Sequence, residues 1–365
     1  DIAIIGAGFA GLSAARHLHM TDPTLAVTVL DAGRVAESSA GRNSGFMIDL
    51  PHELTSDDYS GGGDDRAIIA LNRKAIDFAR GVVEEFGIDR NFFDPAGKIN
   101  GAASDTADAL NRSYAKHLDE LGEANQILDA KAMTELSGSR HYVSGLYTPG
   151  TVMLQPAGYI RGFGEGLRRD GVGIYENTPV LGMDRQGATW VVKTPKGRVT
   201  AGKVIFTNNG QLESFGFARN RLMHVFLYAS MTVDLGQDGV RALGGQARWG
   251  ITPSDPMGTT MRRIDVGQGG NRVITRTCAT FEPGMLPSEA SLRRTAAVHR
   301  QKFDQRFPQL KGTKITHAWT GNVAFAFDFL PHMGMEQGMH YLMACNGSGV
   351  AARSSSSSAN SASVR

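Results

Sequence analysis

Apolar and polar residues follow two periodicities along this chain of 365 residues, and each periodicity predicts one kind of secondary-structure element. Apolar residues recur at helical spacing over 66–86, 105–121, 157–169 and 288–307, which predicts amphipathic helices, the last capped by Ser288. Short apolar runs between Gly, Pro and Asn predict strands over 173–176, 180–183, 190–193 and 203–206. Longer strands are predicted over 222–233, 258–264 and 271–277. Residues 317–350 are expected to alternate short strands with glycine turns.

The N-terminus joins an apolar run to a glycine pattern. Ile2-Ala3-Ile4-Ile5 predicts a buried strand, and Gly6-Ala7-Gly8-Phe9-Ala10-Gly11 leads from it into a helical stripe. Gly6 would allow the tight turn, Gly8 the approach of a pyrophosphate, and Gly11 the packing of the helix on the strand. Asp31 lies 20 residues after Gly11, where an acid accepts from a ribose hydroxyl and repels a 2′-phosphate. The pattern predicts a dinucleotide site, against the alternative of a glycine-rich turn in another α/β protein.

Composition narrows the class of protein without identifying a ligand. The formal net charge of +2 gives no argument for nucleic acid or an anionic membrane as partner. No apolar run reaches the length of a membrane-spanning helix. Two cysteines are too few for a disulfide framework and favour a reducing cytoplasm. The chain starts without Met, so a targeting peptide upstream stays open, and the Ser-rich stretch from Arg353 is given no function.

Several motifs, in their order along the chain, resemble one known family. They are Gly6–Gly11, Asp31-Ala32-Gly33-Arg34, Ser39-Ala40-Gly41-Arg42-Asn43-Ser44-Gly45, Phe206-Thr207-Asn208-Asn209-Gly210, Asp328-Phe329-Leu330-Pro331-His332-Met333-Gly334 and Tyr341-Leu342-Met343-Ala344-Cys345-Asn346-Gly347-Ser348-Gly349-Val350. The chain thereby resembles the D-amino-acid-oxidase-type FAD-dependent oxidoreductases, the group of glycine oxidase, sarcosine oxidase and gamma-glutamylputrescine oxidase. The resemblance spans most of the chain.

The resemblance and the order of elements imply an α/β fold. A Rossmann-like FAD-binding domain is expected to be interleaved with an α+β substrate domain built on a large antiparallel or mixed sheet. One strand–turn–helix unit cannot cover both faces of a parallel sheet, so the first 50 residues must recruit later strands. We expect residues 1–50, 150–218 and 317–365 to form the FAD-binding domain, and residues 51–149 and 219–316 the substrate domain.

One dinucleotide turn holds only the ADP half of FAD, so the flavin half needs backbone from elsewhere. Gly41–Gly45 follows Asp31 closely enough to run under the pyrophosphate and reach the ring, and Asn346–Gly349 could present N–H groups to it. The resemblance implies that Val180 contacts the adenine side through its backbone. The expected FAD-binding residues are Gly6, Ala7, Gly8, Phe9, Ala10, Gly11, Asp31, Ala32, Gly33, Arg34, Ala40, Gly41, Arg42, Asn43, Ser44, Gly45, Val180, Asn208, Asn209, Gly210, Gly321, Pro331, Asn346, Gly347, Ser348, Gly349 and Val350.

The resemblance also implies a sheet over the open face of the flavin. Its predicted strands carry Arg262, Arg263, Arg272 and Arg276, and a guanidinium facing the flavin would hold a substrate carboxylate in bidentate fashion. Alternation puts Arg272 and Arg276 on one face, and Arg262 and Arg263 on opposite faces. The predicted substrate residues are Arg262, Met47 and Trp319, although lone arginines and aromatics in strands are more often surface or packing residues. No catalytic residue and no metal site is predicted.

Two departures from the family pattern bear on the chemistry. Some members attach the flavin through a cysteine near the segment His317-Ala318-Trp319-Thr320, where this chain has none, so we expect FAD to bind without a covalent bond. Some oxidases place a lysine over the flavin to activate oxygen, and here no lysine lies between Lys203 and Lys302. The electron acceptor stays open between oxygen and another carrier.

The sequence thus predicts an FAD-dependent enzyme that oxidises a C–N bond of a small amine or amino acid. A hydride would pass to flavin N5, and the imine would then hydrolyse in water. Two alternatives remain at this point. One is a flavin dehydrogenase of a 2-hydroxy acid or related alcohol, and the other is an FAD-binding subunit without catalysis.

Overall fold

The computed structural model describes residues 1–51, 64–255 and 258–344. Its strands are β1 Ile2–Ile5, β2 Val27–Leu30, β3 Phe46–Met47, β4 Phe93–Asp94, β5 Lys98–Ala102, β6 Gln126–Asp129, β7 Ser144–Thr148, β8 Val152–Leu154, β9 Gly173–Tyr175, β10 Gly182–Gln186, β11 Thr189–Thr194, β12 Gly197–Ala201, β13 Lys203–Phe206, β14 Met223–Thr232, β15 Trp249–Pro253, β16 Thr260–Ile264, β17 Arg272–Phe281, β18 Ile315–Phe325, β19 His332–Glu336 and β20 Met339–Met343. Its helices are α1 Phe9–Thr21, α2 Ser39–Arg42, α3 Asp65–Phe86, α4 Asp105–Leu121, α5 Ala130–Ser137, α6 Pro156–Arg169, α7 Gly236–Leu243 and α8 Glu289–Arg306.

The predicted helices begin where local capping chemistry places them. The hydroxyl oxygen of Ser104 accepts from the Ala107 amide at the start of α4, and that of Ser288 accepts from the Ser291 amide at the start of α8. At α6 the Gln155 side chain accepts from the Gly158 amide, and Pro156 occupies the first helical position. The helices predicted over 66–86, 105–121, 157–169 and 288–307 are therefore confirmed, with ends that differ by at most one residue.

The six-stranded sheet carries the N-terminal strand at its centre. Its order is β19-β20-β13-β1-β2-β9, and β1 is parallel to both β13 and β2. Helices α1, α3 and α6 cover one face, where Leu12, Val83 and Phe163 share one core. The other face packs through Phe206 on Trp190 of the small β10-β11-β12 sheet. Both faces of this largely parallel sheet are therefore covered, as its buried strands require.

The eight-stranded sheet draws on two distant parts of the chain. Its order is β18-β14-β17-β16-β15-β5-β7-β6, and its pairs are antiparallel except for β15 with β5. Helix α8 packs on it through Phe303, and Phe307 directly after the helix joins the same core, beside Trp249 and Val273. The predicted α/β fold with a large mixed sheet is confirmed.

Strand β18 differs from its prediction. The sequence predicts short strands and glycine turns from residue 317, but β18 runs unbroken through Gly321, which pairs with Leu227 of β14. The long partner strand supplies the hydrogen bonds, so one glycine does not end the pairing. The strand predicted over 180–183 starts instead at Gly182, where its pairing with Lys193 begins. Residues 317–325 lie in the eight-stranded sheet, and the division into an FAD-binding and a substrate domain stays a prediction.

Candidate functional site

The N-terminal glycine turn has the close packing that its sequence predicts. Gly6 has a φ of +110°, and a Cβ on Gly11 would lie 1.9 Å from the Gly6 carbonyl oxygen. A Cβ on Gly8 would meet only Ala40 Cβ, at 3.5 Å. The turn between β1 and α1 therefore needs glycine at Gly6 and Gly11, while Gly8 leaves its surface open to a ligand.

Asp31 organises this turn from the end of β2. Its Oδ2 accepts from the Ala7 amide at 2.7 Å, and its Oδ1 accepts from the Gly33 amide at 2.9 Å. Each carboxylate oxygen can accept a further hydrogen bond, so the predicted contact with a ribose hydroxyl stays possible. Arg34 next to it is exposed and pairs with Glu37 at 3.7 Å. The roles of Ala32, Gly33 and Arg34 toward a cofactor stay predictions.

The Ser39–Gly45 loop is fixed to the eight-stranded sheet. Ser39 Oγ donates to the Asn322 carbonyl oxygen at 2.9 Å, and Trp319 Nε1 donates to the Arg42 carbonyl oxygen at 2.9 Å. Asn43 turns the loop locally, since its Oδ1 accepts from the Gly45 amide at 2.8 Å. This loop therefore runs between the glycine turn and β18, where a ligand held by the turn could extend.

The end of β13 meets the same region from the other side. Thr207 Oγ1 donates to the carbonyl oxygens of Ile5 and Gly6, which ties the end of β13 to the glycine turn. A Cβ on Gly210 would lie 2.7 Å from the buried His224 ring, whose Nε2 is 2.6 Å from Glu213 Oε2. Residues Asn208–Gly210 are thus held against β14, close to Ala324 of β18.

A cavity of about 360 Å³ opens between this loop and the eight-stranded sheet. Its lining residues are Ser39, Gly41, Arg42, Asn43, Ser44, Gln155, Pro156, Ala157, Leu227, Tyr228, Ala229, Met231, Arg262, Ile264, Gln268, Gly269, Ile274, Arg276, Trp319, Gly321, Asn322 and Val323. This set contains three arginines and, among the described residues, no Asp, Glu, His or Lys. The cavity therefore favours an anionic ligand group.

Another cavity, of about 440 Å³, lies far from the glycine turn. It is beside β6 and the start of α4, where Asp105, Asp108 and Asp129 line it. Asp108 is already engaged by Ser144 and Arg112, and Asp129 caps α5. Two of these three acids thus have structural partners, and the cavity shares no lining residue with the glycine turn or its neighbouring loop, so it is not the candidate site.

The arginines predicted from the sequence have different partners. Arg262 Nη1 donates to the carbonyl oxygens of Ser44 and Leu154, and burial lowers its pKa to about 10. Arg263 faces the other side of the sheet and donates to the Gly244 carbonyl oxygen. Arg272 donates to the carbonyl oxygens of Gly269 and Thr232.

Arg276 is the exception. No residue in the described ranges forms a hydrogen bond or ion pair with its guanidinium, which is partly buried in the cavity wall, and this burial lowers its pKa. A partly desolvated cation without a protein partner favours an anionic ligand group at this point of the cavity.

The remaining predicted residues divide between the cavity and the protein core. Trp319 and Gly321 line the cavity, whereas Met47 packs against the core under the six-stranded sheet. Val180 packs on the second face of that sheet, and Pro331 lies just before β19. Asn346–Val350 fall outside the described residues. The predicted binding roles of all these residues stay predictions.

Several lining residues carried no signal in the sequence. Gln268 has no motif around it, Gln155 carries only a weak helix-start signal, and Asn322 stands between Gly321 and an apolar run that gives no reason to single it out. They meet only because β16, β18 and the start of α6 come together in space. A signal was available for Gln155 alone, because it precedes Pro156 at a predicted helix start.

Two buried side-chain amide groups without a hydrogen-bond partner bear on whether the residues present fit FAD. Asn208 Oδ1 and Asn322 Nδ2 are buried and have no partner among the described residues. Leaving a buried polar atom unpaired is unfavourable, so a bound polar group is expected to satisfy them. The edge of a flavin ring carries both hydrogen-bond donors and acceptors. The open surface at Gly8 leaves room for the pyrophosphate of FAD. The site therefore fits FAD.

Other features of the described residues limit the chemistry. In the described ranges, no group of three or more His, Cys, Asp and Glu side chains is placed to hold a metal ion. Cys278, which has no disulfide partner, is not among the lining residues of the cavity. A search of these same ranges finds no helix with the length and apolarity needed to span a membrane.

Comparison with known proteins agrees with this site. A family model described as FAD dependent oxidoreductase matches residues 1–353. The chain is 24% identical over 348 residues to a probable oxidoreductase OrdL of Rhizobium meliloti, covering 91% of this chain and 74% of that protein. It is 24% identical over 356 residues to the gamma-glutamylputrescine oxidoreductase of Escherichia coli, covering 96% of this chain and 80% of that protein.

The fold is also that of a solved flavoenzyme. The crystal structure of glycine oxidase from Geobacillus kaustophilus superimposes with a TM-score of 0.77 at 17% identity, covering 100% of this chain and 93% of that one. At this identity the likeness concerns the fold alone, while the family model covers most of the sequence. The chain belongs to the FAD-dependent oxidoreductase family, and FAD is its cofactor.

Proposed function

We propose that this protein oxidises the C–N bond of a small amine that also carries a carboxylate, which is an amino-acid-like substrate. The observation that carries the proposal is Arg276, a partly buried guanidinium in the cavity wall with no partner among the described residues. A carboxylate is the group that a guanidinium binds in bidentate fashion. Arg276 is therefore proposed to hold the substrate carboxylate, in preference to Arg262, whose Nη1 is already engaged by two carbonyl oxygens.

The surroundings of Arg276 support this assignment. Arg276 pairs with Ala229 across β17 and β14, and Ile274 lies two residues away on the same face. Trp319 and Met231 add further apolar surface. An ionic contact inside an apolar wall is screened little by water, so it can orient a small substrate strongly.

The absence of His, Asp, Glu and Lys from the described cavity lining favours an amine over an alcohol. FAD, when bound, supplies the acceptor for the hydride that leaves the carbon next to nitrogen. A neutral amine needs no base, because its nitrogen lone pair forms the new C=N bond. An alcohol must also lose its O–H proton, and no His, Asp, Glu or Lys lines the described cavity to take it. The imine product then hydrolyses with water.

The names of two similar proteins agree with this choice. The matched Escherichia coli protein is a gamma-glutamylputrescine oxidoreductase, and the superimposed structure is a glycine oxidase. Both names specify compounds with a C–N bond. A 2-hydroxy acid remains the alternative substrate because Arg276 would hold its carboxylate equally well, and a subunit that binds FAD without catalysis remains the other alternative.

Anaerobic bleaching of the bound flavin tests the proposal. The purified holoenzyme is mixed with amino acids and N-methyl amino acids, with the same amines lacking the carboxylate, and with the matching 2-hydroxy acids. We expect at least one amino-acid-type compound to bleach the flavin, and its decarboxylated analogue to react far more slowly. Bleaching by hydroxy acids alone would support the alcohol alternative. If simple amines bleached the flavin as fast as amino acids do, Arg276 would have no role in holding a substrate carboxylate.

A further inference from the structure

Arg262 joins the eight-stranded sheet to the Ser39–Gly45 loop. Its Nη1 donates to the carbonyl oxygen of Ser44 at 2.9 Å and to that of Leu154 at 2.5 Å. Its Nη2 donates to Gln268 Oε1 at 3.0 Å. Arg262 is 3% exposed, and Ser44 is 218 residues away in sequence. One guanidinium therefore holds the loop and β8 in a fixed relation to β16.

Gly45 provides the space for this contact. Its φ is +83°, and a Cβ there would lie 2.2 Å from Arg262 Nη1 and 2.2 Å from the Leu154 carbonyl oxygen. The Leu154 amide in turn donates to the Gly45 carbonyl oxygen at 2.7 Å. The loop backbone and β8 thus pack directly around the guanidinium, which only a glycine at position 45 permits.

Gln268, which contacts Arg262, is itself held by neighbouring residues. Gln268 Nε2 donates to the Asn91 carbonyl oxygen at 2.8 Å. Arg248 Nη2 donates to Asn91 Oδ1 at 2.6 Å and lies 2.8 Å from Asp265 Oδ1. Within the described residues, no carboxylate forms an ion pair with Arg262 itself. Its three hydrogen bonds go to neutral oxygens, and two of these oxygens belong to the backbone around the loop.

We propose that Arg262 is a positioning residue for the cofactor, because it holds the Ser39–Gly45 loop in the shape that binds FAD. A planar guanidinium can donate to two carbonyl oxygens at once in a fixed geometry, whereas an ammonium group lacks this fork. The role concerns the cofactor rather than the substrate, so it does not depend on the substrate proposed above.

The test compares Arg262→Lys with Arg263→Lys in the full chain. Arg263 is the neighbour on the same strand and is equally buried, with 3% of its surface exposed. It donates to a backbone oxygen on the opposite face of the sheet. The dissociation constant of FAD is measured by titrating each apoprotein, without substrate, and the unfolding midpoint of each apoprotein is recorded. We expect Arg262→Lys to raise the FAD dissociation constant at least about tenfold, which corresponds to about 1.4 kcal/mol. Arg263→Lys is expected to leave it unchanged.

Gln268→Leu is a milder second variant, because it keeps the guanidinium with its two carbonyl partners and removes its third partner, together with the hydrogen bond from Gln268 to Asn91. It is expected to weaken FAD binding less than Arg262→Lys does. Equal weakening of FAD binding in Arg262→Lys and Arg263→Lys would indicate general destabilisation and would overturn the proposal. Unchanged FAD binding with a raised KM in Arg262→Lys would assign Arg262 to the substrate and would also overturn it.

Discussion

Lys98 carries a buried charge whose removal should stabilise the protein in a pH-dependent way. The residue lies at the start of β5, is 2% exposed, and donates to Asn100 Oδ1. Burial lowers its pKa from 10.5 to about 8, although the negative charge of Asp49 partly opposes this shift. Asp49 is itself paired with Arg73 at 3.1 Å, and Arg73 also binds Glu123.

The direction of the pH dependence follows from the number of protons that Lys98 binds in the folded and in the unfolded state. Between about pH 8 and pH 10.5 the unfolded chain binds more protons at Lys98 than the folded protein does, so the contribution of Lys98 to stability rises with pH. Below pH 8 the full cost of burying the cation is present, about 3 kcal/mol for a shift of about 2.5 pKa units. Lys98→Met removes the cation and roughly conserves the volume. Asn100 Oδ1 keeps a donor in that variant, because Thr252 Oγ1 lies 2.8 Å from it.

The assay is urea unfolding of the FAD-saturated protein at pH 7 and pH 9.5. We expect Lys98→Met to be more stable than the unsubstituted protein at pH 7, and this advantage to shrink by about 2 kcal/mol at pH 9.5. Lys131→Met is the matched control, because the Lys131 side chain is 83% exposed. A stability difference between Lys98→Met and the unsubstituted protein that does not change with pH would refute a lowered pKa at Lys98.

Three further predictions concern the site. Arg276→Met should lower kcat/KM for a carboxylate-bearing substrate roughly a hundredfold, or about 3 kcal/mol, and leave its decarboxylated analogue unaffected, as steady-state kinetics would show. Arg272→Met is the control, because Arg272 is not among the lining residues of the cavity and its guanidinium already donates to the carbonyl oxygens of Gly269 and Thr232; an equal loss there would contradict the assignment. Gly11→Ala should abolish FAD binding, measured by visible absorbance, because its Cβ would lie 1.9 Å from the Gly6 oxygen. Gly182→Ala, where a Cβ meets nothing within 4 Å, should bind FAD normally. No lysine lines the described cavity, so we expect oxygen to reoxidise the reduced flavin more slowly than an artificial acceptor in stopped-flow mixing.

The arrangement of the cavity explains why one family fold can accept different substrates. The turn at Gly6–Gly11 and the Ser39–Gly45 loop, which are predicted to bind FAD, come from one end of the chain. The opposite wall comes from β14, β17 and β18 and carries Arg276. Substitutions at Arg276 and its neighbours on β17 would therefore be expected to change the substrate more than the binding of FAD.

The sequence by itself determined the elements whose signals are local. Four amphipathic helices and the glycine turn with Asp31 follow from the spacing of residues close together in the chain, and the structure has them where the spacing predicts. The family and the cofactor also followed from motifs in their order. These features need no knowledge of distant contacts, because periodicity, capping and backbone freedom act over a few residues.

Only the tertiary structure decided which of two arginines in the cavity wall has no hydrogen-bond partner among the described residues. Arg262 and Arg276 both lie on predicted strands and both line the cavity, so alternation alone does not separate them. The difference arises because Arg262 meets Ser44, 218 residues earlier, while Arg276 meets no partner among the described residues. The same holds for β18, whose unbroken course depends on its pairing with β14. Contacts between segments far apart in sequence decide how each polar group is satisfied, and a single sequence carries no local signal for them.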